Sequence, residues 1–143
     1  MIDGKDHINI YSKGETELGR YLSNFAHTPF NHPLYGGFQS VEGFWYYDLT
    51  GKEGLRSLYG YQAKSKGQEL CKNVINGEWG VNRPQIKIAI LCKLTQNDPE
   101  LLLEFLDSDL PFRHYYKFGD KIVEPEEGKW IVEFFTELRE LLK

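Results

Sequence analysis

The sequence predicts a mostly helical α+β domain with a few short strands, and three observations lead to that fold class. The chain has 143 residues, of which 41% are hydrophobic and 27% charged, enough for one domain with a sizeable core. Apolar residues recur at helical spacing over residues 130–142, with charged residues between them. Residues 7–11 alternate with the period of a short strand. We therefore expect a single domain over residues 1–143.

The first part of the chain contains few regular elements. After the strand, residues 12–19 are polar and contain glycine, which predicts a loop. Residues 20–26 show no clean period and mix arginine, serine and asparagine with leucine and phenylalanine. That mixture fits two interpretations, an ordinary loop and a segment that carries polar groups into a cavity. Proline and glycine in residues 28–39 predict a hairpin or a broad turn.

The next stretch is the one on which the functional interpretation depends. Ser40 is a good helix N-cap and Gly51 a typical helix end, so a helix is predicted between them. This helix is apolar or aromatic on nearly every side, which predicts that it is buried. It carries Glu42 in its first turn, where the helix N-terminus stabilises a carboxylate. Two interpretations of Glu42 stay open: support of the helix, and a catalytic acid, base or charge stabiliser.

The later elements follow from apolar runs separated by turn residues. They are predicted in this order: a short helix (53–59), a helix (60–75), a loop (76–81), a core helix (85–94), a helix (100–106), a β-hairpin (114–124) and the closing helix (130–142). Asn82 followed by Pro84 marks the start of the core helix. Lys64, Lys66 and Lys72 form a basic cluster in an acidic protein, which fits either a solvated face or a phosphate contact.

Charge and residue types exclude several function classes. The net charge of −4 argues against a strong nonspecific hold on a nucleic-acid backbone, but it leaves room for a pocket that takes one nucleotide. The histidines show no metal-ligand spacing, so we expect neither a metal nor a cofactor. Cys71 and Cys92 are expected to be free, buried thiols. No run approaches the roughly 20 apolar residues of a membrane span, and residues 1–6 do not resemble a signal peptide, so the expected location is the cytoplasm.

The surroundings of Glu42 in the sequence suit cleavage of a glycosidic bond in a nucleotide-like substrate. Such reactions pass through a transition state with oxocarbenium character, which a carboxylate stabilises while it deprotonates the attacking water. The aromatic residues Phe38 and Tyr46 are candidates to stack a base. Arg20 and Lys64 are candidates to hold phosphates.

A series of short motifs resembles the NADAR superfamily of YbiA-like N-glycosidases. The motifs are Ile8-Asn9-Ile10-Tyr11-Ser12, Leu22-Ser23-Asn24-Phe25 with Pro29-Phe30, Ser40-Val41-Glu42, and Ala63-Lys64 with Gly67. The resemblance covers most of the chain, because residues 134–142 also resemble that family's closing helix. It implies an α+β fold and hydrolysis of N-glycosidic bonds to ribose phosphates. Family members act on ADP-ribose attached to guanine bases, or on phosphorylated intermediates of riboflavin synthesis.

The resemblance implies roles position by position. The family's catalytic glutamate falls on Glu42. Its pocket-lining segments fall on Tyr11-Ser12 and Ser23-Asn24-Phe25, and a functional tryptophan falls near Trp79.

Two positions depart from the family's pattern. Leu49 stands where many relatives carry a lysine, so the resemblance implies that a catalytic lysine is Lys52 or Lys64 reaching in from another direction, or that the mechanism needs no lysine. Lys64 is the candidate of the two. The family's late aspartate has no clean match at Asp120. The stretch Glu42-Gly43-Phe44-Trp45-Tyr46 resembles a subgroup that includes phage-encoded members, for which the host cytoplasm is the implied location.

Residues and resemblance together lead to one expected function and two alternatives. The expected function is removal of ADP-ribose from guanine bases of nucleic acid by an N-glycoside hydrolase. One alternative is hydrolysis of phosphorylated ribosylaminopyrimidine intermediates of riboflavin synthesis, and the other is a non-catalytic module that binds ADP-ribose or a nucleotide. The expected partners are an ADP-ribose-type or ribose-phosphate ligand and, for the first function, ADP-ribosylated DNA or RNA.

Overall fold

The computed structural model describes residues 1–72 and 81–143. In chain order its elements are β1 (Ile8–Asn9), α1 (Glu17–Leu22), β2 (Phe30–His32), β3 (Gly36–Phe38), α2 (Val41–Thr50), α3 (Gly60–Cys71), α4 (Arg83–Gln96), α5 (Pro99–Asp107), β4 (Phe112–Arg113), β5 (Tyr116–Phe118), β6 (Lys121–Val123) and α6 (Lys129–Leu142). Short 3-10 helices cover Glu53–Ser57 and Glu126–Gly128. The six helices and six short strands of the described residues confirm the predicted α+β class.

The chain divides into two units, which are described separately. The first unit combines Met1–Ser23 with Pro99–Lys143, and the second is Asn24–Asp98. The single domain over residues 1–143 stays a prediction. Among the described residues, no helix combines the length and the apolar character that crossing a membrane requires.

In the first unit, β1 and β4 form a parallel pair, with Ile8 opposite Phe112 and Asn9 opposite Arg113. The side chain of Asn9 extends this pairing. Its amide donates a hydrogen bond to the carbonyl of Tyr115, and its oxygen accepts one from the N–H of Tyr115, both at 3.0 Å. A buried amide that is satisfied in this way fixes the chain after β4 against β1. The predicted strand over residues 7–11 is therefore confirmed, although it is shorter than expected.

The core of the first unit contains the rings of Phe105, Phe112 and Phe135, whose centroids lie 5.6 to 6.2 Å apart. Phe135 comes from α6, so the apolar period of the closing helix does mark its buried face. The same period predicted burial of Leu141, and this is wrong, because Leu141 is 78% exposed. The buried face of α6 ends before its last turn.

Helix α1 was missed, since the sequence predicted a loop over residues 12–19. Thr16 caps this helix by accepting a hydrogen bond from the N–H of Gly19 at 2.9 Å. A Cβ at Gly19 would overlap the carbonyl oxygen of Asn9, so glycine allows α1 to approach β1 closely. A helix of six residues is too short to show a helical period in the sequence.

The β-hairpin predicted over residues 114–124 is confirmed, and of the two alternatives for residues 28–39 the structure shows the hairpin. Strands β2 and β3 pair antiparallel over Phe30–His32 and Gly36–Phe38, and β5 and β6 pair over Tyr116–Phe118 and Lys121–Val123. The turn between β5 and β6 contains Gly119 at φ +59°, a conformation that glycine adopts without strain.

The second unit is built on aromatic packing. Phe38 from β3 meets Phe44 of α2 edge to face at 5.1 Å, and Phe30 of β2 packs against both rings. Only part of α2 is buried, namely Val41, Gly43 and Phe44. The prediction that α2 is buried on nearly every side is therefore wrong, because its remaining residues keep part of their surface open to solvent.

Helix α4 starts as predicted, with the side chain of Asn82 accepting from the N–H of Gln85. Its buried residues are Ile86, Ala89, Ile90, Lys93 and Leu94. Leu91 is 37% exposed, so the predicted core helix has one face toward solvent. Lys93 is fully buried, and burial lowers the pKa of its ammonium group to about 7.

Candidate functional site

Ser40 fixes the start of α2. Its hydroxyl oxygen accepts a hydrogen bond from the N–H of Gly43 at 3.0 Å, and its O–H donates to the carbonyl of Leu58 at 2.9 Å. The side chain is fully buried, so both bonds are protected from water. The predicted N-cap is confirmed, and it also ties α2 to the segment that follows the 3-10 helix Glu53–Ser57.

Gly43 allows this close packing. A Cβ at position 43 would lie 2.6 Å from the carbonyl oxygen of Leu55 and 3.1 Å from that of Leu58. The first turn of α2 therefore touches backbone directly, and no larger residue fits there without a shift of one chain. The motif Ser40-Val41-Glu42-Gly43 thus places Glu42 on a rigid helix terminus.

The segment Asn24-Phe25 joins the starts of two helices. The carbonyl of Asn24 accepts from the N–H of Glu42, and the carbonyl of Phe25 accepts from the N–H of Gly60, both at 3.0 Å. The first N–H groups of a helix have no partner inside the helix, so an external carbonyl is an effective one. These two bonds connect the N-termini of α2 and α3 through two consecutive residues, so the backbone of Asn24 lies against the first turn of α2. The pocket-lining roles of Asn24 and Phe25 stay predictions.

The carboxyl group of Glu42 is a weaker acid than that of an ordinary glutamate. Burial raises its pKa from 4.5 to about 7, and the positive charge of Lys64 opposes that rise. Within the described residues its carboxylate has no hydrogen-bond partner, and part of the residue stays open to solvent. A helix-supporting glutamate on a surface does not show such a shift, because water stabilises its charged form.

Lys64 lies in the second turn of α3 and is half-buried. Its Nζ atom is 5.9 Å from the ring centre of Phe25, which is within the range of a cation–π contact. Its charge acts on Glu42. The structure therefore brings Lys64, Phe25 and Glu42 into one neighbourhood.

Tyr46 follows Glu42 by one helical turn. Burial raises the pKa of its phenol to about 12, and the charges of Glu42 and Cys71 act in the same direction. A hydrogen bond with Gln68 opposes them. The charge of Glu42 reaches the phenol because the two side chains lie on the same face of α2, four residues apart.

The arrangement is suited to proton transfer near neutral pH. A carboxyl group with a pKa near 7 is protonated and ionised in comparable amounts at that pH, which is the condition for an efficient general base. Lys64 supplies the adjacent positive charge, and Tyr46 and Phe25 supply aromatic rings. Groups of this kind hold anions and planar rings.

Phe38 lies in the aromatic core of the second unit, against Phe30 and Phe44. It is 1% exposed, and the guanidinium of Arg56 lies over its ring at 4.5 Å. It also borders a depression of about 860 Å³, whose lining includes Ser57 and Gln96 but neither Glu42 nor Lys64. Its role as a base-stacking residue therefore gains no support from its position. Trp79 lies outside the described residues, as do the predicted loop 76–80 and the predicted end of the helix at residues 73–75.

Four predicted site residues belong to the first unit. Tyr11 is half-buried, with its ring 5.6 Å from that of Tyr116, and Ser12 follows it in a turn. Arg20 is exposed, and its guanidinium donates to the carbonyl of Gly14 at 2.8 Å. Ser23 is buried at the end of α1.

The remaining sequence predictions concern Leu49, Asp120, the cysteines and metals. Leu49 is half-buried on α2, and Asp120 is exposed in the turn between β5 and β6. Cys71 and Cys92 are free thiols, as predicted, although only Cys71 is buried. Across residues 1–72 and 81–143, no cluster of three histidine, cysteine, aspartate or glutamate side chains has the geometry to hold a metal ion.

Two residues near the site were not identified by sequence reasoning as contributors to its structure. Gly43 lies in the stretch Glu42-Gly43-Phe44-Trp45-Tyr46, but only the structure shows how close it lies to the backbone of Leu55. Gly67 likewise stood in a motif with Ala63-Lys64, and it lies directly against the ring of Tyr46. A glycine inside a predicted helix was the available signal, since such a glycine often has a packing reason.

Comparison of the chain with protein-family models, with curated proteins and with solved structures finds no match.

Proposed function

We propose that this protein is an N-glycoside hydrolase that removes ADP-ribose from guanine bases of nucleic acid, with Glu42 as its catalytic carboxylate. The observation that supports this most directly is the pKa of Glu42, which burial raises to about 7 beside the cation of Lys64. A catalytic base is most effective when its pKa lies near the working pH. The resemblance of the sequence to NADAR proteins supplies the reaction class.

The proposed reaction breaks one bond and forms another at the anomeric carbon of the ribose. The C1′–N bond to guanine breaks, and its electron pair leaves with the base. Positive charge then develops at C1′ and is stabilised by the Glu42 carboxylate. Water attacks C1′ and gives a proton to that carboxylate, the departing guanine takes up a proton from solvent, and Glu42 then releases its proton to solvent. The products are ADP-ribose and unmodified guanine.

Lys64 has two proposed roles. Its charge favours the ionised form of Glu42, because it lowers the pKa that burial raises. The same ammonium group is placed to attract a phosphate of the substrate, as lysine binds phosphate as a point charge. Asn24 and Phe25, which adjoin Glu42 through the Asn24 carbonyl, are the proposed contacts to ribose and base.

The net charge of −4 favours a second candidate, hydrolysis of a free ribosylaminopyrimidine phosphate of riboflavin synthesis. A small substrate needs no extended basic surface, whereas proteins that hold a nucleic-acid backbone usually present one. The same carboxylate chemistry applies to both substrates, so the substrate and not the mechanism separates these two proposals.

The test is to incubate the purified protein with an oligonucleotide that carries ADP-ribose on guanine and to measure released ADP-ribose. The parent protein is expected to release it, and Glu42→Gln to be slower by about 10²- to 10⁴-fold, because glutamine accepts no proton from water. The matched control is Glu69→Gln, an exposed glutamate of α3 whose only ion pair is the 3.7 Å contact with Lys66 among the described residues. It is expected to keep full activity.

Three other outcomes would change the proposal. Turnover of the ribosylaminopyrimidine phosphate without turnover of the oligonucleotide would favour the second candidate. Binding of free ADP-ribose without turnover of either substrate would favour a non-catalytic module. Unchanged turnover by Glu42→Gln would remove Glu42 from the mechanism.

A further inference from the structure

The contact between Tyr46 and Gly67 is unusually close. A Cβ built at Gly67 would lie 2.6 Å from Cδ1 of the tyrosine ring and closer still to Cγ and Cδ2. No real side chain tolerates such distances, so the ring rests directly on the backbone of α3. Gly67 is buried in the face of α3 that packs on α2. The position of the Tyr46 ring is therefore set by the absence of a side chain on the neighbouring helix.

Tyr46 and Glu42 share one face of α2. They are four residues apart, and residues at that spacing lie one above the other on a helix. Gly43 and Ser40 hold the first turn in place, so the carboxyl of Glu42 has a fixed starting point. The ring of Tyr46 lies one helical turn after Glu42 and rests on Gly67, so it has little freedom to move away from the Glu42 carboxyl.

We propose that Tyr46 is a positioning residue whose ring, held against Gly67, shields the carboxyl of Glu42 from water. This inference rests on the proposed role of Glu42, and it adds a function for Gly67. Glycine at position 67 then serves the site and not the helix, since alanine is the better helix former.

The charged groups around Glu42 are few within the described residues. Lys64 faces it from α3, and Tyr46 lies on its own helix. Cys71 of α3 acts on Tyr46 in turn. Lys64 lowers the pKa of Glu42, whereas burial raises it by more. Exclusion of water from the carboxyl group is therefore what raises this pKa.

The test measures the titration of Glu42 itself, by NMR of its carboxyl carbon, in the full chain. Three variants are compared: Tyr46→Ala, Tyr46→Phe and Gly67→Ala. Tyr46→Ala is expected to lower the pKa of Glu42 from about 7 by at least about one unit, because water enters where the ring was. Tyr46→Phe keeps the ring and loses only the hydroxyl, and the pKa of Glu42 is expected to stay near 7.

Gly67→Ala is expected to act as Tyr46→Ala does, although it lies on the other helix. The added methyl group displaces the ring and opens the same path for water. In the double variant Gly67→Ala/Tyr46→Ala the methyl group meets no ring, so the pKa is expected to equal that of Tyr46→Ala alone. The melting temperature of this double variant is expected to be higher than that of Tyr46→Ala, because alanine favours the helix.

The inference is overturned if Tyr46→Ala and Gly67→Ala both fold and leave the titration of Glu42 unchanged. It is also overturned if Tyr46→Phe shifts the titration as far as Tyr46→Ala does, since the hydroxyl and not the ring would then be responsible. None of these readouts depends on turnover. A protein that releases no ADP-ribose but shows the expected titrations would refute the proposed function and leave the role of Tyr46 intact.

Discussion

At the scale of single residues, the carboxyl of Glu42 connects stability with chemistry. A folded-state pKa of about 7, against 4.5 for the unmodified group, means that the folded protein binds a proton more tightly than the unfolded chain. Between these two values a rise in pH therefore destabilises the folded state. An acid placed only to support a helix would show the opposite sign, because the helix N-terminus favours the charged form.

Replacement of Glu42 by glutamine separates these two interpretations. Glutamine cannot ionise, so Glu42→Gln is expected to increase the free energy of unfolding at pH 8 by up to about 3 kcal/mol. At pH 4 both side chains are neutral, and the difference is expected to vanish. Urea denaturation at the two pH values measures it, with Glu69→Gln as the control. Destabilisation at pH 8 would instead identify Glu42 as a residue that supports α2.

Lys64 offers a second prediction at this scale. Because its charge lowers the pKa of Glu42, Lys64→Met is expected to raise that pKa further. Hydrolysis that requires the ionised carboxylate rises with pH, so the midpoint of that rise in kcat/KM is expected to move to higher pH. The control is Lys66→Met, which removes an exposed lysine of the same helix that pairs with Glu69. An unshifted midpoint in Lys64→Met would show that the two groups are not coupled.

At the scale of elements, close backbone contacts decide where the functional side chains lie. The first turn of α2 touches the carbonyls of Leu55 and Leu58, and it does so at Gly43. Ser40 bonds to the second of these carbonyls. Two small residues, Ser40 and Gly43, thus fix the start of α2 against the 3-10 turn, in addition to the aromatic packing of Phe44.

Gly43→Ala tests this directly. The methyl group would lie 2.6 Å from the carbonyl oxygen of Leu55, so the backbone has to shift, and a loss of about 1–3 kcal/mol in the free energy of unfolding is expected. Gly54→Ala is the matched control, since a Cβ there meets nothing within 4 Å. Chemical denaturation of both variants gives the comparison. Equal stabilities would show that the contact at Gly43 has room to relax.

The sequence predicted the elements whose signals are local. Ser40 and Asn82 as caps, Gly51 as a helix end and the two hairpins each depend on a few neighbouring residues. Helix α1 was missed because its signals, Thr16 and the contact of Gly19 with Asn9, do not form a period.

The candidate site shows the same difference between local signals, which the sequence contains, and long-range packing, which it does not. Local motifs and a helix start singled out Glu42, Lys64, Asn24 and Phe25, and the structure brings these residues together; their roles stay predictions. The backbone contact of Tyr46 with Gly67 joins two helices, and the core packing of Phe38 depends on β2 and α2. Such packing between residues far apart in the chain produces no local pattern in a single amino-acid sequence.

At the scale of the whole molecule, two buried groups with opposite charge shape the dependence of stability on pH. Glu42 destabilises the fold increasingly as pH rises from 4.5 to about 7. Lys93, whose pKa falls from 10.5 to about 7, is costly in its charged form, and the folded protein loses that proton before the unfolded chain does. Stability from Lys93 therefore rises with pH between about 7 and 10.5.

The two contributions together predict a minimum of stability near pH 7, where most globular proteins are close to their maximum. The measurement is the free energy of unfolding between pH 5 and 9, for the parent protein, Glu42→Gln and Lys93→Met. Glu42→Gln is expected to remove the decline on the acid side, and Lys93→Met to remove the rise on the alkaline side. Each variant acts as the control for the other, because each changes one limb only. A parent curve with its maximum at pH 7, unaltered in shape by either substitution, would contradict the assignment of both groups. A minimum that each variant abolishes from its own side would establish that burial of Glu42 and of Lys93 reduces the stability of the fold near neutral pH.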